Sequence, residues 1–321
     1  MSEPVQEAVH VMEAYTGTEK GYRRAHPRGL VFHATFTPSA EARALTTAEH
    51  FQGGPLHTLV RLSNASGSPH APDRVNDRVG KVLGLAVRFE LPSGGHATWA
   101  AANIPVFLAR TPEEFIQLTT AQRPEGPQRK PKLLRVLGHL VKHLGAIRGL
   151  KGVFALKPTP SFAHERFNGI HAYHLRDAAG QRRTIRYRWT PRAGAHPLSE
   201  AQAASMPSQY LLDEIHARVA RERVEWTLQF QMAQPGDPTD DATRAWPEDR
   251  PLVTAGTLVL ERPYEDQRES ELFVFDPAGV VPGIELSDDP ILHFRAKVYR
   301  ESHLRRSHET KPEPKPADLR Q

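Results

Sequence analysis

Val224-Glu-Trp-Thr-Leu-Gln-Phe-Gln-Met232 changes from apolar to polar at every step. Successive side chains of a strand point to opposite faces, so this stretch reads as a β-strand with Val224, Trp226, Leu228, Phe230 and Met232 on one buried face. Ile185, Tyr187 and Trp189 alternate with Arg186 and Arg188 in the same way. They follow a turn signal at residues 177–180 (Asp-Ala-Ala-Gly), which predicts a hairpin with Gly169 to Leu175. Working outward, further strands are expected at Leu30 to Phe36, His57 to Leu62, Leu83 to Phe89, Ile104 to Ala109, Leu252 to Leu260 and Leu292 to Tyr299. So many strands in one chain favour a closed sheet, because closure removes the exposed edges. Helices are fewer: Leu133, Leu134, Leu137, Leu140, Val141 and Leu144 form an apolar stripe at helical spacing, and a second helix is expected over Ser208 to Arg221. The fold class that follows is α+β, an antiparallel β-barrel with flanking helices.

A chain of 321 residues is long enough for one large core. Residues 1–20 read as a mobile arm or weak helix, 21–306 as one domain, and 307–321 (SHETKPEPKPADLRQ) as a disordered tail. The absence of cysteine removes disulfides, cysteine nucleophiles, thiolate zinc sites and thiolate-bound haem together. A metal must then be held by His, Tyr or carboxylate. Glu3, Glu7 and Glu13 interrupt the first residues, and no apolar run reaches the length of a signal peptide or membrane span, so a cytoplasmic protein is expected. The net charge of +5 comes without any nucleic-acid motif, so neither nucleic acid nor membrane is an expected partner. His139 and His143 lie one helical turn apart but lack the adjacent Glu of a zinc protease. The cations of the same helix read as a solvated face.

Three short segments carry candidate chemistry. In Arg295-Ala-Lys-Val-Tyr299, a helical backbone puts Arg295 and Tyr299 at i and i+4, within reach of each other. A cation beside a phenol favours the phenolate, which binds ferric iron; the same spacing also describes a surface cation packed on a ring. In Gly21-Tyr-Arg23-Arg-Ala-His26-Pro-Arg-Gly29, a histidine stands among arginines before a strand. Histidine is the usual proton shuttle near neutral pH, although most lone histidines are ordinary core or surface residues. In Trp99-Ala-Ala-Ala-Asn103-Ile-Pro105-Val-Phe107, an amide sits where it can either donate to a ligand or form a turn.

Together and in this order, these segments resemble the haem catalase superfamily. Arg23-Arg-Ala-His26-Pro-Arg-Gly29 is similar to that family's Arg-Val-Val-His-Ala-Lys-Gly, and Leu59-Val-Arg61-Leu-Ser63 to its Val-Arg-Phe-Ser strand. Leu83-Gly-Leu-Ala-Val-Arg-Phe89 resembles Arg-Gly-Phe-Ala-Val-Lys-Phe, and Asn103-Ile-Pro-Val-Phe107 resembles Asn-Thr-Pro-Val-Phe. Phe167-Asn-Gly-Ile-His-Ala-Tyr173, Asp241-Ala-Thr-Arg-Ala-Trp-Pro247 and the run from Phe275 to Ile284 also fall where the family has similar strings. The likeness spans Gly21 to Arg306. It implies a catalase-like core that binds haem b through Tyr299, with Arg295 holding the phenolate and Asp289 supporting Arg295. It is the resemblance, and not the spacing, that supplies the bond from tyrosine to iron. By the same resemblance His26 and Asn103 are the catalytic pair on the other side of the haem and Ser63 orients His26. Arg23, Arg61, His303 and Arg306 meet the propionates.

Departures from the family pattern shape the expected function. The chain stops soon after Tyr299, where larger catalases continue, so a nicotinamide cofactor is not expected. Ala65, Ala102 and Leu108 replace bulkier or polar residues, which implies a roomier pocket, and Arg188 stands where the family has a histidine near the proximal arginine. A small catalase-related peroxidase is therefore expected, one that reduces hydrogen peroxide or organic hydroperoxides with an organic electron donor and has weak catalase activity. The alternatives are hydroperoxide rearrangement, as in allene oxide synthases, and haem binding without turnover. A homodimer is compatible with this reading.

Overall fold

The computed structural model describes residues 3–73, 79–123 and 133–309. Its strands are β1 (Arg28–Pro38), β2 (Leu56–Asn64), β3 (Leu83–Glu90), β4 (His96–Ala102), β5 (Phe167–Asn168), β6 (Tyr173–Arg176), β7 (Arg182–Pro191), β8 (Val224–Met232), β9 (Leu252–Pro263) and β10 (Ile284–Leu286). All pairings are antiparallel, in the order β7-β5-β4-β3-β2-β1-β9-β8, and β8 pairs back onto β7 to close an eight-stranded barrel. The sheet runs on through β6 and β10. The expected hairpin is present, with Tyr173 opposite Ile185.

Alternation decides which residues fill the barrel. Phe32, Phe36, Val60, Leu62, Leu85, Val87, Phe89, Trp99, Trp189, Trp226, Leu228 and Phe230 are buried and pack as one cluster. Their neighbours in sequence must then point outward. Arg61 and Ser63 of β2, Gly84 and Ala86 of β3, and Ala100 and Ala102 of β4 face the outside of the barrel in register, Arg61 opposite Ala86 and Gly84 opposite Ala102. This outer face forms one wall of the cavity described below.

The helices are α1 (Glu3–Thr16), α2 (Ala40–Leu45), α3 (Pro112–Ala121), α4 (Leu133–Lys142), α5 (Leu144–Ala155), α6 (Glu200–Ser205), α7 (Tyr210–Val219) and α8 (Pro290–Ser307). The N-terminal segment is a packed helix. Val5, Ala8 and Val9 of α1 are buried against Ile116 of α3 and against Phe294 and Val298 of α8. No described helix is long and apolar enough to cross a membrane. Of the expected tail, residues 310–321 lie outside the described residues.

Three sequence expectations are corrected here. Leu292 to Tyr299 is helical, because the Asp289 carboxylate caps the backbone N–H groups of Ile291 and Leu292 and Pro290 opens the first turn. Ile104 to Ala109 is irregular: Pro105 has no N–H for a ladder, and the Phe107 N–H donates to the Ala242 carbonyl instead. The strand in this region is β4, whose alanines give little periodic signal. The apolar stripe at 133–144 becomes two helices that break at His143, and Leu137 and Val141 are exposed.

If α1 belongs to the core, Val9→Ala should lower stability by roughly 1–2 kcal/mol in urea unfolding. Val141→Ala, at an exposed position, should stay within about 0.5 kcal/mol of the parent. Equal, negligible effects of both would show that α1 contributes nothing to the fold.

Candidate active site

Between the outer face of the barrel and helices α1, α3 and α8 lies a cavity of about 260 Å³. The barrel side presents His26, Arg61, Ser63, Gly84, Ala86, Ala100 and Ala102. The helices supply Met12, Phe115, Phe294, Arg295, Val298, Tyr299 and Arg306.

His26 sits just before β1. Its backbone φ of +50° makes it the one described non-glycine residue in the left-handed region, a conformation held only against steric cost. Arg61 offsets that cost by donating from Nη2 to the His26 carbonyl at 2.8 Å. The imidazole Nδ1 lies 3.2 Å from Ser63 Oγ. Gly84 makes room for this contact, since a Cβ there would stand 2.9 Å from Ser63 Oγ and 3.2 Å from His26 Nδ1. Burial, followed by the charges of Arg61 and Arg295, pushes the His26 pKa down to about 3. The imidazole is therefore neutral at physiological pH, and Nε2 is the ring nitrogen left for chemistry.

Three guanidinium groups crowd the same cavity. Arg23 is bonded to the Glu271 carboxylate and donates to the carbonyls of Ser270 at 2.9 Å and Phe273 at 2.8 Å. Arg306 donates to the Glu271 carbonyl at 2.7 Å. Arg61, the deepest, lies 3.9 Å from the Glu271 carboxylate, and its buried Nε has no partner. Burial and then the Arg23 charge push both Arg61 and Arg306 down to about 9. One carboxylate among three cations leaves a pocket suited to a doubly anionic group.

The α8 side carries a chain of four groups. Asp289, while capping α8 with Oδ1, places Oδ2 2.7 Å from His171 Nδ1. His171 Nε2 is 2.9 Å from Arg295 Nη1, and Arg295 Nη2 donates to Tyr299 Oη at 3.0 Å. Asp289 and His171 are buried, and Arg295 is half-buried where it lines the cavity. Burial favours neutral His171 and lowers its pKa, although the Asp289 hydrogen bond opposes this. Burial would likewise lower the Arg295 pKa, but Tyr299 lifts it above the ordinary value. The histidine beside the proximal arginine is thus His171. Arg188 lies elsewhere, bonded to Gln229 and Glu248.

The structure brings His26, Ser63, Arg23, Arg61, Arg295, Tyr299 and Arg306 around one cavity. Asn103 is not among the residues that line it. Strand alternation turns Ala102 toward the cavity and Asn103 away. The Asn103 Oδ1 accepts from the Leu83 N–H at 2.8 Å, and its Nδ2 donates to the Lys81 carbonyl at 3.1 Å and to Glu165 at 3.2 Å. His303 is also absent from the lining, and its Nδ1 is buried without a partner. Sequence reading missed Gly84, His171 and Glu271. His171 lies inside a string that marks the family likeness, but only the fold aligns it with Arg295.

The chain is similar to known proteins over most of its length. The family model described as Catalase matches residues 9–311. A catalase-related peroxidase of Mycolicibacterium paratuberculosis is 34% identical over 92% of this chain and 92% of its own length. One from Synechococcus elongatus is 30% identical over 94% of this chain and 88% of its own. The fold is similar to a fungal catalase crystal structure, with a TM-score of 0.80 at 22% identity over 90% of this chain and 59% of that one.

Two histidines, His26 and His50, each have a pKa pushed down by burial to about 3 against an ordinary 6.5. An unfolded chain takes up protons below 6.5 that the folded chain refuses until about 3, so stability should fall as pH falls through that window. The urea midpoint should decline steadily across it, and His50→Leu should flatten the decline. A slope identical in parent and variant would mean that His50 is not held neutral.

Proposed function

The chain belongs to the catalase family and is an oxidoreductase of the haem catalase and peroxidase kind. On that premise we propose that it reduces hydrogen peroxide or organic hydroperoxides with electrons from a small organic donor, dismutation being the minor route. The main support is one cavity that holds the His26–Ser63 pair and the Arg295–Tyr299 pair, with the Ala102 methyl and, among the described residues that line it, no side-chain amide. An amide there would help to hold a second hydrogen peroxide in the geometry that dismutation needs.

Haem b fits the residues present. Tyr299 Oη is an oxygen donor facing the cavity, the walls are largely apolar, and the unpartnered Arg61 Nε with Arg23 and Arg306 suits two propionates. Haem held there by Tyr299, Arg23, Arg61 and Arg306 would supply the redox chemistry of peroxide reduction.

The protein's own groups do the rest. The His26 tautomer that carries its proton on Nδ1, toward Ser63 Oγ, leaves the Nε2 lone pair to take the peroxide proton. A pKa of about 3 makes neutral His26 a modest base but its protonated form a strong acid, so the proton passes readily to the departing oxygen. Arg295 orients Tyr299, and the Asp289–His171 pair fixes Arg295. Gly84, Ala86, Ala100 and Ala102 keep the barrel wall thin near His26, leaving room for a carbon substituent on the peroxide. Apolar walls exclude stray water.

Replacing Tyr299 by Phe should remove the tyrosinate-type ferric absorption and most of the bound haem. A variant that keeps both would refute the ligand assignment. His26→Ala should retain haem yet slow single-turnover peroxide reduction by about 10²-fold or more, the usual worth of general acid–base transfer. Unchanged rates would take His26 out of the mechanism, and haem loss would mean that its role is structural.

A further inference from the structure

Residues 133–164 contain five Lys or Arg and no Asp or Glu. Helices α4 and α5 lie inside this tract. Leu137 is 46% exposed, Val141 78% and Phe154 51%, which is half of the six large apolar side chains exposed among the described residues. Leu137 and Val141 stand one helical turn apart on the same face of α4. Lys142 next to Val141, and Arg148 and Lys151 of α5, are exposed as well, and a Cβ added at Gly138 would meet open space. From sequence alone these cations read as a solvated face, and the exposure of Leu137 and Val141 adds bare apolar surface to it.

We propose that the α4–α5 face docks on an anionic lipid bilayer. Basic side chains on the same two helices as the protruding Leu137 and Val141 satisfy both halves of an interfacial surface: the cations meet phosphate headgroups, and the apolar side chains enter the acyl boundary. Nucleic acid would use the cations but offers nothing to Leu137 and Val141. A second copy would bring one acid-free tract against another, and like charges would oppose it. The face is also seated on the wall of the active-site cavity. A Cβ at Gly149 of α5 would lie 2.7 Å from the Phe107 carbonyl and 2.8 Å from Leu108 Cδ2, and Phe107 lines the cavity. A bilayer held there therefore lies against the elements that enclose the site. Resting on the peroxidase reading, this adds membrane-dissolved lipid hydroperoxides to the substrate class.

Flotation of the haem-loaded full chain with vesicles tests the docking without using turnover. The protein should float with equal parts phosphatidylcholine and phosphatidylglycerol, stay behind with phosphatidylcholine alone, and be released as salt is raised. The Leu137→Glu/Val141→Glu and Lys142→Glu/Lys151→Glu pairs should each weaken flotation by about tenfold or more with the haem absorption unchanged. Absence of flotation, or flotation untouched by both pairs, overturns the proposal. So does size-exclusion behaviour in which the parent is a dimer that Leu137→Glu/Val141→Glu splits, since the face would then belong to a second copy. Retention of a DNA duplex without flotation overturns it equally. For the substrate class, Leu137→Glu/Val141→Glu should slow turnover of a phospholipid hydroperoxide embedded in anionic vesicles while sparing soluble cumene hydroperoxide. Equal turnover of the embedded substrate by parent and variant sinks that extension. Flotation without turnover of either peroxide would leave docking intact and defeat the peroxidase reading instead.

Discussion

The Arg61 guanidinium reaches from β2 to the carbonyl of His26, and much of the site rests on this one hydrogen bond. A histidine held at positive φ just before a proline is strained by about 1–2 kcal/mol, and it keeps that shape only while its carbonyl is held. With the backbone so fixed, the imidazole meets Ser63 across the gap that Gly84 leaves. The same guanidinium is buried with its Nε unpartnered among two other arginines and a single carboxylate. One side chain thus sets the backbone shape at His26 and much of the positive charge of the pocket.

Asp289 plays the matching part on the other wall. One carboxylate oxygen starts α8 by capping its first turn, and the other anchors His171, which in turn holds Arg295 against Tyr299. Burial alone would raise the Asp289 pKa, yet the hydrogen bond from His171 brings it below the usual range, so the charge persists where the helix needs it. Helix formation and site electrostatics are therefore coupled through one residue. Removing it would expose a helix terminus and loosen the tyrosine's support together.

Much of this was legible in the linear chain. The strands around Phe230, Trp189, Phe36, Val60 and Val87 announced themselves, because a barrel wall that is dry on one side must alternate with period two. Misreadings fell where that rule is weak. Alanine-rich β4 has too little side-chain contrast to show its period, and Ile104 to Ala109 has the composition of a strand without the N–H groups of one. Leu292 to Tyr299 looks extended by residue type, but its helix is fixed by a cap outside the window.

The sequence by itself determined the barrel, the family, and the identity of His26, Ser63, Arg61, Arg295 and Tyr299 as a group, because periodicity and motif are properties of neighbours along the chain. It could not say which of two adjacent residues looks into the cavity. Ala102 and Asn103 differ by one step, and one step on a strand is a change of face. Nor could it join His171 to Arg295, or Glu271 to Arg23 and Arg61, since those contacts span more than a hundred residues and exist only once the barrel has closed and α8 has packed against it. Whether an apolar stripe on α4 is covered or bare was likewise decided by its neighbours in space, for burial belongs to the assembled fold and not to the helix that offers the surface.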